Sequence, residues 1–441
     1  MTGTRSAYTF KGQILASEKK YNSGSGNRSK SAAQTLAEVR PLFERTGITR
    51  LADITGLDRI SLPVTLAIRP NSRTLSVSSG KGLDLDSALI SGAMEALELY
   101  HAEYATLPTF IMTYEEISNN CASIPRELLP RRKGSLFNVK WPETWTLGWD
   151  ILNGEEVAIP IQLASMAPQI YAGNLPTIAS FVTDSNGLAS GNNITEAIMS
   201  GLYEVIERDA IALHKCASEK KGRLVNSIDI NTIPYPRIHE TYSRIRSANC
   251  ELLIYDCTSD LGIPTYKAVL LDNLGGCTSV VEGFGSNLSH ETALIRAITE
   301  ACQGRAVVIS GARDDIFNFS LDKLRGMNFS IDFKTVMSEV PTKFVLPNDF
   351  QESVDLSVDL DFIIKKLRNS GINQVIVVEL DIFDCDQSFA KIIVPGLEGY
   401  PSHGYVPGKR AGVLLSSLSA GEQVTSCSFP TMHLPAGGMP L

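Results

Sequence analysis

Ala88-Leu89-Ile90-Ser91-Gly92-Ala93-Met94-Glu95-Ala96-Leu97-Glu98 is the stretch that decides how this chain folds. Its frame is Ala-x2-[Ser/Arg]-x3-Glu-x2-[Glu/Gln]. It returns as Ala197, Ser200, Glu204, Glu207, and again as Ala293, Arg296, Glu300, Gln303. These spacings fall on one face of an α-helix. The other positions are mostly apolar: Leu89, Ile90, Met94 and Leu97; Ile198, Met199, Leu202, Val205 and Ile206; Leu294, Ile295 and Ile298. A helix that is apolar nearly all round is a buried helix. Three helices therefore carry carboxylates inward, which is costly unless the acids are paired or bound to cations. The plainer reading, acids facing solvent, suits any single copy. Three copies sharing one face argue against it.

Converging carboxylates suit a hard divalent cation, and Mg2+ commonly combines them with substrate phosphates. A glycine- or Asn-rich stretch precedes each helix: Ser79-Gly80-Lys81-Gly82, then Ser185 to Asn192, then Gly283 to Asn287. Read as turns, these bring backbone N–H groups, helix N-termini and Lys81 to an anion. Acids for metal and amides for phosphate make a Mg-nucleotide site. It is not a P-loop. Gly24 to Ser31 has Ser29 where the second glycine belongs, and no apolar strand precedes it. Gly283 and Gly285 are followed by Leu288, so the dinucleotide fingerprint is also incomplete.

With 441 residues, 43% hydrophobic and 20% charged, the chain is a soluble globular protein with room for two or three subdomains. A net charge of -8 argues against nucleic acid as partner. No apolar run has membrane-spanning length, and Met1 to Ser31 has no signal-peptide core. A cytoplasmic location is expected. The eight cysteines are scattered without C-x2-C spacing, which points to reduced thiols, Cys302 among them as a core residue. The six histidines form no i,i+4 pair; His101 and His214 read as helix-end residues.

Residues 1–31 read as a flexible segment, and 32–72 as a helix and strand completing the catalytic domain, which spans 73–441. Residues 32–46 read as one amphipathic helix with the stripe Leu36, Val39, Leu42, Phe43. Residues 63–68 and 74–77 read as a hairpin joined by Pro70-Asn71-Ser72. Further strands are expected at 179–182, 252–255, 266–271, 279–282, 375–378 and 392–394, a helix at 356–367 and a linker at 325–355. The fold class is α/β, of mixed α+β character.

Taken together, Ser79-Gly80-Lys81-Gly82 with Ser91-x3-Glu95-x2-Glu98, Ser200-x3-Glu204-x2-Glu207-Arg208, Glu300-x2-Gln303, Gly311-x-Arg313-Asp314-Asp315 and Val394-Pro395-Gly396-Leu397-Glu398 form a specific combination. It resembles the YcaO family of ATP-dependent peptide-backbone-modifying enzymes, from about Pro63 to the C-terminus. The resemblance implies a YcaO-like fold with Glu-bearing helices around a Mg-ATP site. Glu95, Glu98, Glu204, Glu207 and Glu300 would hold Mg2+. Lys81 and Arg208 would neutralise phosphate charge. Asn192, Glu196 and Gln303 match further ATP-site positions, and Arg28 and Thr35 match a basic residue and a hydroxyl on the phosphates. ATP would phosphorylate a peptide amide oxygen. The plainer readings are an i,i+4 salt bridge to Glu204 for Arg208 and a solvated lysine for Lys81. No general base is identified.

Azoline-forming members resemble one another in a Pro-x-Pro-x-Pro tail. This chain ends His433-Leu434-Pro435-Ala436-Gly437-Gly438-Met439-Pro440-Leu441, which departs from it. Arg69-Pro70-Asn71-Ser72 and the stretch from Val394 to Gly408 resemble members that work with a TfuA-type partner and form thioamides. Thioamidation of a precursor peptide or protein comes first, with a TfuA-type, leader-binding or sulfur-delivery partner. Azoline cyclodehydration comes second. A peptide-presenting scaffold and a small-molecule ligase or kinase are the other readings; intact acids argue against the scaffold. A homodimer is implied by the resemblance alone.

Overall fold

The computed structural model describes residues 8–15, 17–21, 28–171, 180–222, 224–274, 278–313, 340–346, 353–400 and 405–420. A short hairpin, β1 (Thr9–Phe10) and β2 (Gln13–Ile14), comes first, followed by α1 (Ala32–Val39) and α2 (Leu42–Thr46). The single helix expected over 32–46 is two helices. Pro41 precedes the second, and a proline interrupts a helix because it lacks an N–H and crowds the preceding turn. Strands β3 (Arg50–Asp53), β4 (Val64–Ile68) and β5 (Val77–Lys81) form an antiparallel three-stranded sheet, and α3 (Leu85–Tyr104) follows. The expected hairpin is there, but its second strand starts at Val77 and runs through Lys81, with Val64 opposite Lys81.

Next come β6 (Phe110–Thr113), α4 (Tyr114–Asn120), β7 (Pro142–Asp150), β8 (Glu155–Pro160), α5 (Ile161–Ala164), β9 (Leu188–Gly191) and α6 (Ile194–Lys221). Then follow β10 (Ser227–Ile228), α7 (Pro236–Ser247), β11 (Cys250–Asp256), β12 (Thr265–Asp272), β13 (Val280–Ser286) and α8 (His290–Ser310). The last described elements are α9 (Leu356–Asn369), β14 (Ile376–Glu379), β15 (Ser388–Ile393) and α10 (Lys409–Ala420). Strands β10 to β13 make one antiparallel sheet in chain order. A larger sheet runs β6-β7-β14-β15-β9, with β8 on β7. Of the strand expected at 179–182, the first residue lies outside the described residues, and Phe181 forms only an isolated bridge with Arg131. Most of the linker expected at 325–355 also lies outside them. No helix among the described residues is long and apolar enough to cross a membrane.

The threefold sequence frame is a threefold strand–helix unit: β5 with α3, β9 with α6, β13 with α8. The glycine-rich segments are largely strand rather than phosphate-binding turns. Their glycines let a helix lie directly on a strand. A Cβ at Gly80 would sit 2.0 Å from Ala88 O, one at Gly191 2.4 Å from Ala197 N, and one at Gly285 2.1 Å from Ala293 O. Those alanines are the first position of the frame in all three copies. The helix N-termini are also already engaged. Asp84, Asn193 and Ser289 each accept from the third helical amide, at 2.8, 2.9 and 3.3 Å. Each helix anchors its own apolar cluster, through Ala96 and Leu97, through Leu202 and Ile206, and through Leu294 and Ile298.

Residues 1–31, expected to be flexible, have described pieces tied to the body. Trp149 Nε1 donates to Thr9 O at 2.8 Å, Phe10 and Leu15 are buried, and the buried Lys20 ammonium meets Asp359. Apolar contact and a buried ion pair here outweigh a polar composition. The turn at Arg69-Pro70-Asn71-Ser72 is clamped by Glu103 in the last turn of α3. Glu103 accepts from Arg69 Nη1 at 2.7 Å, Ser72 Oγ at 2.8 Å and Thr74 N at 3.1 Å. Arg69 and Glu103 are 2% and 0% exposed, so removing one strands the other as a buried charge. Glu103→Ala should cost about 3–5 kcal/mol in urea denaturation. A loss under about 1 kcal/mol would show that the turn is held by other contacts.

Candidate active site

Glu207 and Gln303 are buried and Glu95, Glu98, Glu204 and Glu300 half-buried, which brings the acids of α3, α6 and α8 within electrostatic reach of one another. Glu98 feels Glu204 and Glu95; Glu204 feels Glu207; Glu207 feels Glu300; Glu95 feels Glu300. The five carboxylates thus form a closed ring of mutual repulsion. Burial first, and this repulsion with it, pushes Glu95 and Glu204 up to about 7 and Glu98 up to about 8. Glu207 is raised for the same reasons. Cations from the protein partly offset the charge. Lys81 is paired with Glu300, Arg208 Nη2 lies 3.8 Å from Glu204, and Arg313 and Lys81 act on Glu95.

Do these residues fit a metal ion? Among the described residues no group of three or more His, Cys, Asp or Glu side chains is arranged to hold one. That is no obstacle for Mg2+, which usually takes one or two carboxylates, several waters and substrate phosphates rather than an all-protein cage. The donor set is hard oxygen throughout. The residues fit a Mg-nucleotide.

This ring has a pH signature. The folded apo protein keeps the Glu95, Glu98 and Glu204 carboxyls protonated up to about pH 7 to 8, whereas an unfolded chain releases the same protons near about 4.3. The folded state therefore binds more protons. The stability tied to these groups is present at low pH and lost as pH rises through the folded values. We expect apo unfolding free energy to fall from about pH 4.3 up to about pH 7 to 8 and to level off above that, and the fall to shrink with Mg-ATP. Calorimetry in buffers of different ionisation enthalpy should show more protons released on binding at pH 7 than at pH 8.5. Equal release at both would mean the acids are already ionised.

A second cluster adjoins the ring. Glu196 is buried, and burial alone would raise its pKa. The Arg28 guanidinium at 2.8 Å, Ser29 N at 3.1 Å and Ser29 Oγ at 2.8 Å hold it below the usual range instead. Asn192 Nδ2 donates to both Glu196 oxygens at 3.1 Å, and its Oδ1 accepts from Thr35 Oγ1 at 2.8 Å. Arg28 also reaches Ser190 O and Ser200 Oγ, each at 3.1 Å. Ser190 Oγ in turn donates to Glu98 at 2.5 Å. The structure thus joins Arg28, Thr35, Asn192 and Glu196 to one another and, through Ser190, to the ring. Gln303 is buried beside the ring, its Nε2 donating to Ser79 O at 2.7 Å and Ser79 Oγ at 3.0 Å.

Sequence reasoning missed several cations. Arg296 acts on Glu207, and its buried Nε has no hydrogen-bond partner among the described residues. It fills the Ser/Arg position of the frame, which was the available signal. Lys391 on β15 is 5% exposed, bonded to Asp184 O, and acts on Glu204. His101 and His214 are neutral and buried, with burial pushing both down to about 4. His214 lies inside α6, not at its end. Burial also raises the Cys302 thiol, as a core residue should show.

Among known families, residues 79–398 match the one described as YcaO cyclodehydratase, ATP- and Mg2+-binding. An uncharacterized protein in the tfuA 3' region of Rhizobium leguminosarum bv. trifolii is 34% identical over 390 residues, which are 86% of this chain and 90% of that protein. A heterocyclase solved in complex with substrate and cofactor superposes with a TM-score of 0.72 at 23% identity, over 87% of this chain and 54% of that one. YcaO from Methanopyrus kandleri, bound with AMPPCP and Mg2+, superposes with a TM-score of 0.67 at 19% identity, over 89% and 98% of the two chains. At these identities the two structures establish the fold, while the family match and the Rhizobium relative span most of the sequence. The chain belongs to the YcaO family, whose cofactors are ATP and Mg2+.

Proposed function

We propose that this chain uses ATP to phosphorylate a backbone amide oxygen in a ribosomally made peptide or a protein, and that with a TfuA-type partner it forms a thioamide. The observation that carries the ATP reading is the closed ring of five repelling carboxylates on three helices. Such a ring is costly for a merely structural purpose. The relative in the tfuA 3' region supports the thioamide reading.

In this reading a hydrosulfide-equivalent donor adds its sulfur to the amide carbon, and the oxyanion takes the γ-phosphoryl group as ADP leaves. Loss of phosphate carries the oxygen away, the sulfur proton passes to solvent, and C=S remains. Bound Mg2+ would supply charge neutralisation on the phosphates, held by Glu95, Glu98, Glu204, Glu207 and Glu300. Lys81 and Arg208 would face the phosphates, with Arg28, Thr35, Asn192, Glu196 and Gln303 around the nucleotide. Positioning and charge neutralisation supply most of phosphoryl-transfer catalysis. The reading includes a cytoplasmic homodimer, as the family resemblance implies.

Azoline formation is the second reading, favoured by the cyclodehydratase description of the family and the heterocyclase fold. One experiment separates them: a precursor peptide incubated with the chain, a TfuA-type partner, a sulfide source and Mg-ATP, followed by mass spectrometry. Sulfur gained for oxygen supports thioamidation, and loss of water supports azoline formation. An unmodified peptide with no peptide-dependent ADP would sink both.

A further inference from the structure

We propose that Tyr400 is a positioning residue whose ring holds the Arg208 guanidinium ready for the phosphates, and that the Leu397–Tyr400 arm places that ring. The inference rests on the reading of Arg208 as a phosphate ligand.

Arg208 has Glu204 one helical turn before it and Glu207 beside it. An arginine so placed ordinarily closes an i,i+4 ion pair. Here the ion pair is stretched to 3.8 Å, beyond hydrogen-bond reach. The guanidinium carbon lies instead over the Tyr400 ring, 4.5 Å from its centroid. That is cation–π geometry. Arg410 shows what a closed arginine looks like in this protein. Its Nε and Nη2 lie 2.8 and 3.0 Å from Asp209, the residue next to Arg208. Stacking keeps the Arg208 fork from closing on its neighbours and leaves its N–H groups for an incoming anion.

The ring itself is fixed from two sides. Phe284 packs edge-on against it, centroids 6.4 Å apart at 70°, and Phe284 N donates to Glu300 at 3.3 Å. Two residues before Tyr400, Glu398 N donates to Asp209 Oδ1 at 2.9 Å. The Glu398 carboxylate accepts from Tyr405 OH at 2.6 Å and from Gly408 N and Ala411 N, each at 2.8 Å. Asp209 and Glu398 are 0% and 4% exposed. The arm is thus bound to α6 and to the start of α10 by bonds that water does not reach. A ring held this way needs little ordering when the nucleotide arrives, which is what preorganisation supplies. This gives the Val394-Pro395-Gly396-Leu397-Glu398 motif a physical task at the active site.

The test compares wild type, Tyr400→Leu and Tyr400→Phe by Mg-ATP calorimetry, steady-state ATP kinetics and apo thermal unfolding. Tyr400→Leu should weaken Mg-ATP binding about 5- to 30-fold, the range of a desolvated cation–π contact. The loss should appear in the KM for ATP more than in kcat, with apo unfolding unchanged. Tyr400→Phe should recover most of the affinity, because the ring and not the hydroxyl does the holding. If Tyr400→Leu fails to fold, Tyr400→Trp decides. A larger ring should bind Mg-ATP at least as well as wild type, and weakened binding there overturns the proposal. Wild-type affinity in Tyr400→Leu overturns it while leaving the function reading intact. Wild type that binds no Mg-ATP overturns both.

Discussion

Glu204→Gln is expected to lower peptide-dependent ATP turnover by about 100- to 1,000-fold while making the apo protein more stable at pH 8. The two effects have one cause. Glu204 sits on the middle helix of the ring, repelled by Glu207 and, through its own charge, repelling Glu98. Burial and repulsion raise it to about 7, so at pH 8 the folded apo protein carries this charge at a cost. An amide of nearly the same shape removes the cost. Its side chain is 24% exposed, so we discount the gain for solvent screening to about 1 kcal/mol. On the proposed reading the same change removes a carboxylate that would hold the Mg2+ whose charge neutralises the phosphates. ADP release and urea denaturation at pH 8 measure the two sides. Lost stability together with lost turnover would mark Glu204 as a structural partner of Arg208 instead.

The two halves of the site differed in how far the sequence revealed them. The helical spacing of Glu95, Glu98, Glu204, Glu207 and Glu300 predicts that they converge, because a buried helix face has few places to point. The spacing does not say what the preceding glycines do. Gly80, Gly191 and Gly285 read as phosphate turns, yet each is a contact point between strand and helix. Glycine serves both purposes, and a linear pattern does not separate them. The helix at Leu356 and the strands at 252–255 and 266–271 follow from periodicity and lie where expected. The break at Pro41 needed only its missing N–H to be weighed against the apolar stripe. Lys391 and Tyr400 were beyond reach for a different reason. Lys391 acts on Glu204, and Tyr400 stacks on Arg208, from 187 and 192 residues away along the chain. Single residues that meet a site through tertiary packing leave no period to read.

Arg208→Lys is expected to lower kcat by about 100- to 1,000-fold even though the charge is kept, and this separates the two readings of Arg208. On the plain reading, Arg208 is the cationic half of an i,i+4 pair with Glu204. A lysine serves that role nearly as well, and the change would cost a few tenths of a kcal/mol. On the phosphate reading, lysine loses on two counts. Its ammonium is a compact point charge without the planar fork that matches phosphate oxygens bidentately. It also stacks less readily on Tyr400 than a flat guanidinium does, so it is free to close on Glu204. Once closed, it removes both a phosphate donor and one acid of the ring. Arginines that meet transferring phosphoryl groups contribute up to about 1,000- to 100,000-fold to kcat, and a lysine that keeps the charge retains part of that. Single-turnover ADP formation with saturating ATP is the measurement, because it reads chemistry apart from binding. A rate within about threefold of wild type would assign Arg208 to the salt bridge, since the plain reading allows no more than that. The phosphate contacts would then fall to Lys81 and Arg296, the two other cations that act on Glu207.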